Sequence, residues 1–422
     1  MSDTTTRGSA WSLFANRDFT LLLAARFCSM SAQQILSVAV SWQIYVLTGR
    51  ALDLGWIGLV QFVPAFLLLP LTGEVADRVD RRRVIAICSA IGAAAATVLF
   101  GAVALGGHAL WLYYGAMLVF ATSRSFAFTA QQALTPMLVA RDDLGRAIAW
   151  GSSVNNIAMI GAPALGGLLL SVRDSAGYLV ALVLLAIATL TSLLIRTRTR
   201  PTERRGVNFA EVFAGVRFVA ERPAILGAIS IDLFAVLMGD VTALLPIYAK
   251  DILGVGALGL GLLRSAPSLG AVIAALALAQ WPLGRRSGQV MLGSLLGYGA
   301  LTVLFALSHV FVLSFIILVV LGTADMLSVF VRTTLVQTAT PDRMRGRVSA
   351  VNAVFINSSN QLGQLESGVA AACFGPVSAA VIGGVGAVLV ALIWRRLFPV
   401  LTLIDLSPAG LRQLAEAGAN GP

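Results

Sequence analysis

Charge is what this sequence has least of. Only 12% of its 422 residues are Asp, Glu, Lys or Arg, whereas 58% are hydrophobic. With the 41 glycines added and tyrosine left out, roughly two-thirds of the chain is apolar, against about 45–50% in soluble domains. The 30 basic and 20 acidic side chains are too few to cover a soluble domain of this size. A soluble enzyme and a disordered chain are both excluded. Cysteine is scarce as well. Cys28, Cys88 and Cys373 lie in apolar stretches without CxxC or metal-ligand spacing, so nothing supports a disulfide scaffold, a metal site or a cofactor. There are two histidines, His108 and His309, and one lysine, Lys250; the other 29 basic residues are Arg. The N-terminus, MSDTTTRGSAWSLFANRDFT, lacks a cleavable signal-peptide pattern, so the first apolar run is expected to persist as a helix.

Long apolar runs are abundant. A membrane-spanning helix takes about 20 apolar residues. Twelve spans are expected, at 19–47, 55–76, 84–105, 111–134, 147–170, 176–195, 224–249, 257–279, 289–307, 310–335, 348–373 and 376–394. Pro64, Pro163, Pro246 and Pro267 interrupt some of them, which neighbouring helices tolerate by re-satisfying the backbone. The net charge of +10 could suggest nucleic acid, but its distribution points to a membrane instead. Sorted by side, 23 basic residues fall on one face and only Arg50, Arg173 and Lys250 on the other. The positive-inside rule makes the basic side cytoplasmic, with both termini inside.

The longest connection divides the spans six and six. This predicts an N-terminal half at 1–195, a cytoplasmic linker at 196–223, a C-terminal half at 224–396 and a cytoplasmic tail at 397–422. The linker opens with RTRTRPTERRG, a solvated basic stretch suited to anionic lipid. It continues as a short surface helix. Asn208 and Glu211 have capping-box spacing, followed by Phe209, Val212, Phe213, Val216 and Val219 at helical spacing.

The halves repeat. Tyr45, Gly58 and Pro64 match Tyr248, Gly261 and Pro267 at an offset of 203, and His108, Gln131, Arg146 and Asn156 fall on His309, Arg332, Arg347 and Asn357 at 201. Shared order and helix position make a duplicated six-helix unit. Six is even, so the two copies have the same orientation, as in transporters whose site lies between the halves near the midplane.

The connection after span 2 reads Gly73-Glu-Val-Ala-Asp77-Arg78-Val-Asp80-Arg81-Arg82-Arg83-Val-Ile85. It resembles the signature loop of the major facilitator superfamily, G-x-L-A-D-R-x-G-R-[RK]-x-x-L, with Asp80 in the place of Gly. The corresponding second-half segment keeps Arg285 and Arg286 but lacks the Asp. Span 5 carries Ala149, Ala158, Ala162-Pro163 and Gly166-Gly167. It resembles the antiporter motif G-x8-G-x3-G-P-x2-G-G, with three Gly replaced by Ala, all small enough for close packing. LLAARFCSMSAQQILSVAVSWQI, FAGVRFVAERP and TLVQTATPDRMRGRVSAVNAVF are similar to the branch containing the enterobactin exporter and related proton-coupled efflux proteins. The resemblance implies an all-α integral membrane protein, with twelve transmembrane helices arranged as two parallel six-helix repeats in the major facilitator fold. It also implies that Gly73, Asp77, Arg78, Arg81 and Arg82 form a cytoplasmic gate.

Eight ionisable residues lie within the spans: Arg26, Arg124, Arg264 and Arg332 against Asp232, Asp240, Asp325 and Glu366. Unpaired charge at this depth is costly, so they should pair or line a wet cavity. Fixed salt bridges that only set packing are one reading, and Arg332 is near enough to the cytoplasmic end to reach the interface. Proton coupling is the other. Arg does not deprotonate in proteins, and both histidines fall at outer loop ends. The candidate carriers are therefore the four carboxylates, because burial favours a protonated carboxyl. Facing spans 4 and 10 would bring Arg124 towards Asp325; Asp232 near Arg26 is the second expected pair. The superfamily often has an Arg linked to proton transfer in this part of span 4, though without the following Gly here.

Polar stripes supply candidate substrate contacts: Arg26, Gln33, Ser37 and Ser41 with Gln34 adjacent on span 1, and Asn357, Asn360, Gln361 and Gln364 near Glu366 on span 11. Interhelical hydrogen bonding is the plainer use of both. The expected function is a proton-coupled exporter of small organic molecules, of siderophore or drug type, acting as a monomer in the cell inner membrane without cofactor, metal or nucleic acid. Import or facilitated diffusion is the alternative. A sensor or scaffold would not need balanced charges at membrane depth, and no nucleophile–base constellation suggests an enzyme.

Overall fold

Each apolar run becomes helix. A computed structural model describes residues 12–107, 109–197, 209–281 and 283–419. Among these there are no strands. The helices are α1 (Arg17–Thr48), α2 (Ala51–Leu67), α3 (Leu69–Arg78), α4 (Arg81–Ala104), α5 (Leu110–Leu138), α6 (Leu144–Val172), α7 (Ala176–Leu194), α8 (Phe209–Ala220), α9 (Pro223–Gly239), α10 (Leu245–Ile247), α11 (Gly256–Gln280), α12 (Ser287–Ala306), α13 (Phe311–Thr338), α14 (Asp342–Phe374), α15 (Pro376–Leu397) and α16 (Pro408–Ala419).

Nine described segments are long and apolar enough to cross a membrane on length and composition alone. Three further helices complete the twelve spans: α2, α5 and α14. Helix α2 has only 17 residues before the chain breaks at Leu68 and resumes as α3. Pro70 accounts for the break, since a proline has no backbone N–H with which to continue the helical ladder. Helices α5 and α14 are long, but polar residues lower their average hydropathy.

Two expected spans are thus discontinuous. The span foreseen at 224–249 runs as α9 only to Gly239. It continues as a 3-10 turn (Thr242–Leu244), α10 and a π-turn (Tyr248–Ile252). The Asp240 carboxylate takes the Thr242 backbone N–H at 2.8 Å at the break, and Pro246, which has no N–H to give, opens α10. By contrast, Pro64, Pro163 and Pro267 sit within unbroken helices.

The chain divides into two compact units: residues 1–39 with 67–207, and residues 40–66 with 208–422. In the first, α4 packs on α5 and α7, and Phe19, Leu22, Ile85, Leu134 and Leu138 share a core with Ile195. Gly166 lets α6 approach α1: a Cβ there would lie 3.2 Å from the Ile35 Cα. Ala162, Pro163, Gly166 and Gly167 are all buried, as expected of a close-packed small-residue face.

In the second unit, α11 packs on α13 and α12 on α15, again through glycine. A Cβ on Gly322 would collide with the Pro267 carbonyl oxygen, and one on Gly299 would lie 2.6 Å from the Gly384 carbonyl oxygen. The surface helix foreseen in the linker is α8. Phe218 and Val219 bury against Ile225, Val348 and Val351, whereas Val216, expected on the apolar stripe, is exposed. The capping pair Asn208 and Glu211 lies outside the described side chains. The first part of the tail folds back onto the second unit. Leu401, Ile404 and Leu406 bury beside Met291 and Leu335, the Gly288 N–H donates to the Ile404 carbonyl at 3.1 Å, and α16 follows. Between them, the Asp405 carboxylate accepts the Ser407 N–H at 2.7 Å, which holds the carboxyl below its usual range.

Candidate functional site

In the first unit the membrane-depth charges are Arg26 and Arg124, and neither has a carboxylate partner among the described residues of that unit. The Arg26 Nε donates to the Asn155 Oδ1 at 2.9 Å. Its guanidinium lies against α6 at Gly151, where a Cβ would be 2.9 Å from Nη1. Arg26 also lines an open groove of about 190 Å³ with Gln132, Thr135 and Pro136 of α5 and Leu144, Ile148 and Ser152 of α6. Arg124 is half-buried on α5, eleven residues before Thr135 and so on nearly the same helix face, roughly 16 Å along the axis. Gln33 and Gln34 are half-buried on α1.

The signature connection is built by the turn between α3 and α4. Gly73, Asp77 and Arg78 lie on α3, where Arg78 pairs with Glu74 at 2.6 Å. Arg81, almost wholly buried, reaches back to the exposed Asp77 at 3.4 Å. Arg82 pairs with Asp80 at 2.8 Å and donates to the Ile195 carbonyl at 2.7 Å. Asp80 has φ −55°, so the turn has no need of the glycine common at this position, and its carboxylate caps α4 by accepting the Arg82 N–H at 3.3 Å.

The second unit holds the remaining six charges. Asp232 and Arg332 form a buried ion pair, Oδ1 to Nη1 2.5 Å. It is an ion contact by distance whose angle is not that of a hydrogen bond, and Arg332 Nε has no hydrogen-bond partner among the described residues. Asp232 is thus paired with Arg332 rather than with Arg26, and Arg332, 2% exposed, turns into the protein rather than out to water. Asp240 is held by the helix break. Its carboxylate takes the Thr242 N–H, the Ser367 hydroxyl donates to its carbonyl at 2.5 Å, and Arg264 of α11 lies within electrostatic range. Glu366 is half-buried and interacts with the adjacent Ser367 hydroxyl. Asp325 makes no ion pair or hydrogen bond among the described residues, but feels Asp232, Arg332 and Asp240 electrostatically. Unit 2 therefore sets two arginines against four carboxylates, and unit 1 has two arginines with none.

The stripe on α14 divides. Asn357 and Asn360 are exposed, with the Asn357 amide donating back to the Ala353 carbonyl at 2.8 Å. Gln361 is buried, with an Oε1 that finds no partner among the described residues. Gln361 and Gln364 back onto α2 at Gly58, where a Cβ would collide with the Gln361 carbonyl oxygen and lie 2.9 Å from the Gln364 Cβ. These contacts are a close approach of the helix backbones, not interhelical hydrogen bonds of the two amide side chains. In the same unit, the Tyr45 hydroxyl donates to Asp251, and the Lys250 ammonium sits 5.3 Å from the Tyr45 ring centroid.

The sequence reading passed over Asn155 and Tyr298. Asn155 stands beside Asn156 in an apolar helix, a visible signal. Tyr298, whose hydroxyl donates to the Gly239 carbonyl at 3.2 Å within range of all three aspartates, carried none.

The sequence and the fold both have known relatives. Residues 22–364 match the family model described as Major Facilitator Superfamily. The chain is 30% identical over 382 residues to the enterobactin exporter EntS of Salmonella typhimurium, covering 89% of this chain and 91% of that protein. It is 28% identical over 395 residues to the EntS of Escherichia coli O81, covering 92% of each. The fold is similar to a point mutant of the nucleoside transporter NupG, with a TM-score of 0.73 and 16% identity over 90% of this chain and all of that one. It is also similar to a D-xylose-proton symporter, with a TM-score of 0.69 and 14% identity over 94% of this chain and all of that one.

Proposed function

The chain belongs to the Major Facilitator Superfamily and is a multi-pass membrane transporter, not an enzyme; from that premise we propose that it is a proton-coupled exporter of a small organic molecule. The observation that carries coupling is the charge imbalance of the second unit, four carboxylates against two arginines at membrane depth. Uncompensated buried charge is expensive, and a proton on a carboxylate is the one available compensation that can also be released. Asp232 and Asp240 are engaged by Arg332 and by the helix break. Asp325, which has neither ion pair nor hydrogen bond among the described residues, is the first carrier, with Glu366 second. Arg124 is its proposed switching partner: a cation that approaches in only one conformational state would expel the proton there.

Export, and a siderophore-like substrate, are supported by the similarity to proteins named enterobactin exporter and by the small-residue face of α6. The halves 1–195 and 224–396 would alternate access, joined by the 196–223 linker. The termini would be cytoplasmic, the Gly73–Ile85 connection would act as the gate, and the monomer would be the working unit. The test is accumulation in proteoliposomes under an imposed pH gradient. Asp325→Asn should still exchange substrate but fail to concentrate it. If it and Glu366→Gln both kept full gradient-driven accumulation, the carrier assignment would be wrong.

A further inference from the structure

We infer that residues 395–403, at the end of the last span, form a foot that lies in the bilayer interface and binds an anionic phospholipid headgroup through Arg395 and Arg396. This role requires only that the chain be a membrane protein; it is independent of substrate and of the direction of transport.

The segment reads RRLFPVLTL and passes from α15 into a 3-10 helix at Pro399–Leu403. A 3-10 helix repeats every three residues, so side chains at i and i+3 stand in line. One line, Phe398, Leu401 and Ile404, turns into the second unit. Phe398 packs at Gly227, where a Cβ would lie 2.8 Å from its Cγ, and Leu401 and Ile404 are buried beside Met291. The adjacent line, Leu397, Val400 and Leu403, is as apolar but turns out: these residues are 63%, 38% and 78% exposed. The inward line fixes the outward one. The Leu401 carbonyl oxygen sits where a Cβ on Gly288 would be, and the Gly288 N–H donates to the Ile404 carbonyl at 3.1 Å. The foot is packed in place and does not cover its own apolar ridge.

Continuity identifies what covers it. On α15 the buried Ala380, Ala387 and Ala391 occupy one face, and the exposed Ile382, Val385, Leu389 and Ile393 the opposite one. In a span, an exposed apolar face is the one that meets lipid. At about 100° per residue, Arg396 falls at the end of that face and Leu397 at its border, and the outward ridge extends it beyond the helix.

Charge identifies which lipid. Arg395 and Arg396 are exposed, and neither makes an ion pair or hydrogen bond among the described residues. The next carboxylate along the chain, Asp405, accepts the Ser407 N–H at 2.7 Å and lies within electrostatic range of Arg285. Two unpaired guanidiniums at the end of a lipid-facing stripe can lay their stems on the acyl boundary and their heads on phosphate. An arginine near an anionic surface gains about 1 kcal/mol, roughly fivefold in affinity.

The experiment uses the full chain in nanodiscs of phosphatidylcholine with a minor share of phosphatidylglycerol. A bimane fluorophore is attached at Leu403→Cys in a background lacking Cys28, Cys88 and Cys373. One lipid or the other is brominated near the headgroup end of its chains, and iodide serves as the aqueous quencher. Brominated lipid should quench the probe strongly and iodide weakly. Per molecule, phosphatidylglycerol should quench better than phosphatidylcholine. That preference should fall roughly fivefold in each of Arg395→Gln and Arg396→Gln, and persist in the corresponding Lys variants. All the replaced residues are exposed, so each variant should melt with its parent. Strong iodide and weak lipid quenching would place the ridge in water and overturn the inference. Quenching by neither would mean that protein, a second copy included, covers the ridge, and would overturn it too. Equal quenching by the two lipids, or a preference unchanged when both arginines are Gln, would overturn the anionic headgroup.

Discussion

Replacing Asp232 by Ala tests how the buried charges are held. The Asp232 and Arg332 side chains are 6% and 2% exposed and their charged atoms are 2.5 Å apart. Removing the carboxylate strands a guanidinium that water cannot reach, and breaking a buried pair from one side costs about 3–5 kcal/mol. For a unit of this size each kcal/mol lowers the melting temperature by about 2–4 °C. Asp232→Ala should therefore melt roughly 6–20 °C below the wild type. Asp232→Asn, which keeps volume but not charge, should fall between the two. The double variant Asp232→Ala/Arg332→Met should recover much of the loss, because the stranded charge, not the missing contact, causes the damage. The assay is thermal unfolding in one detergent, arranged as a double-mutant cycle. A single variant as stable as the wild type, or a double variant worse than the sum of the singles, would refute the pair as a structural element and return Asp232 to the list of free proton carriers.

Asp77→Asn should leave melting unchanged, since Asp77 is exposed and 3.4 Å from Arg81, yet slow transport; wild-type rates in a well-folded variant would reject the gate. Gly322→Ala should destabilise the second unit by about 1–3 kcal/mol, because the added Cβ would collide with the Pro267 carbonyl oxygen; denaturation that starts no earlier than in the wild type would argue against that helix contact. A single cysteine at Thr202, in a background lacking Cys28, Cys88 and Cys373, should resist an impermeant reagent added to intact cells, and external labelling would reverse the orientation. Asp405 has its carboxyl held down by the Ser407 hydrogen bonds. Its contribution to seating the tail is present at neutral pH and lost only as strong acid protonates it, so Asp405→Ala should make the tail easier for protease to trim at pH 7 but not in strong acid.

Most of the architecture was legible because a bilayer imposes a simple rule. Every span must be apolar, about 20 residues long and internally hydrogen-bonded, and composition alone reports that. The spans predicted at 84–105, 176–195 and 376–394 match α4, α7 and α15 to within a few residues. Of the two that broke, one broke at Leu68, two residues before Pro70, and the other at Asp240, six residues before Pro246. The sequence displayed Pro70 and Pro246 but did not say which prolines would interrupt a helix, since Pro163 and Pro267 did not. A proline's effect depends on whether neighbouring groups re-satisfy the freed carbonyl, which is a property of packing.

The site followed the same division. The sequence by itself determined which ionisable groups lie at membrane depth, because hydropathy locates them without any partner. Only the tertiary structure decided what each one touches. Spans distant in sequence meet at angles and depths that periodicity along one helix does not encode. Asp232 found Arg332 one hundred residues away instead of Arg26, and Arg26 found Asn155. Four positive and four negative residues sum to zero in the sequence; their division into a basic unit and an acidic one becomes an electrostatic fact only when each unit is folded, because a charge is compensated by what lies within a few ångströms of it and not by a total.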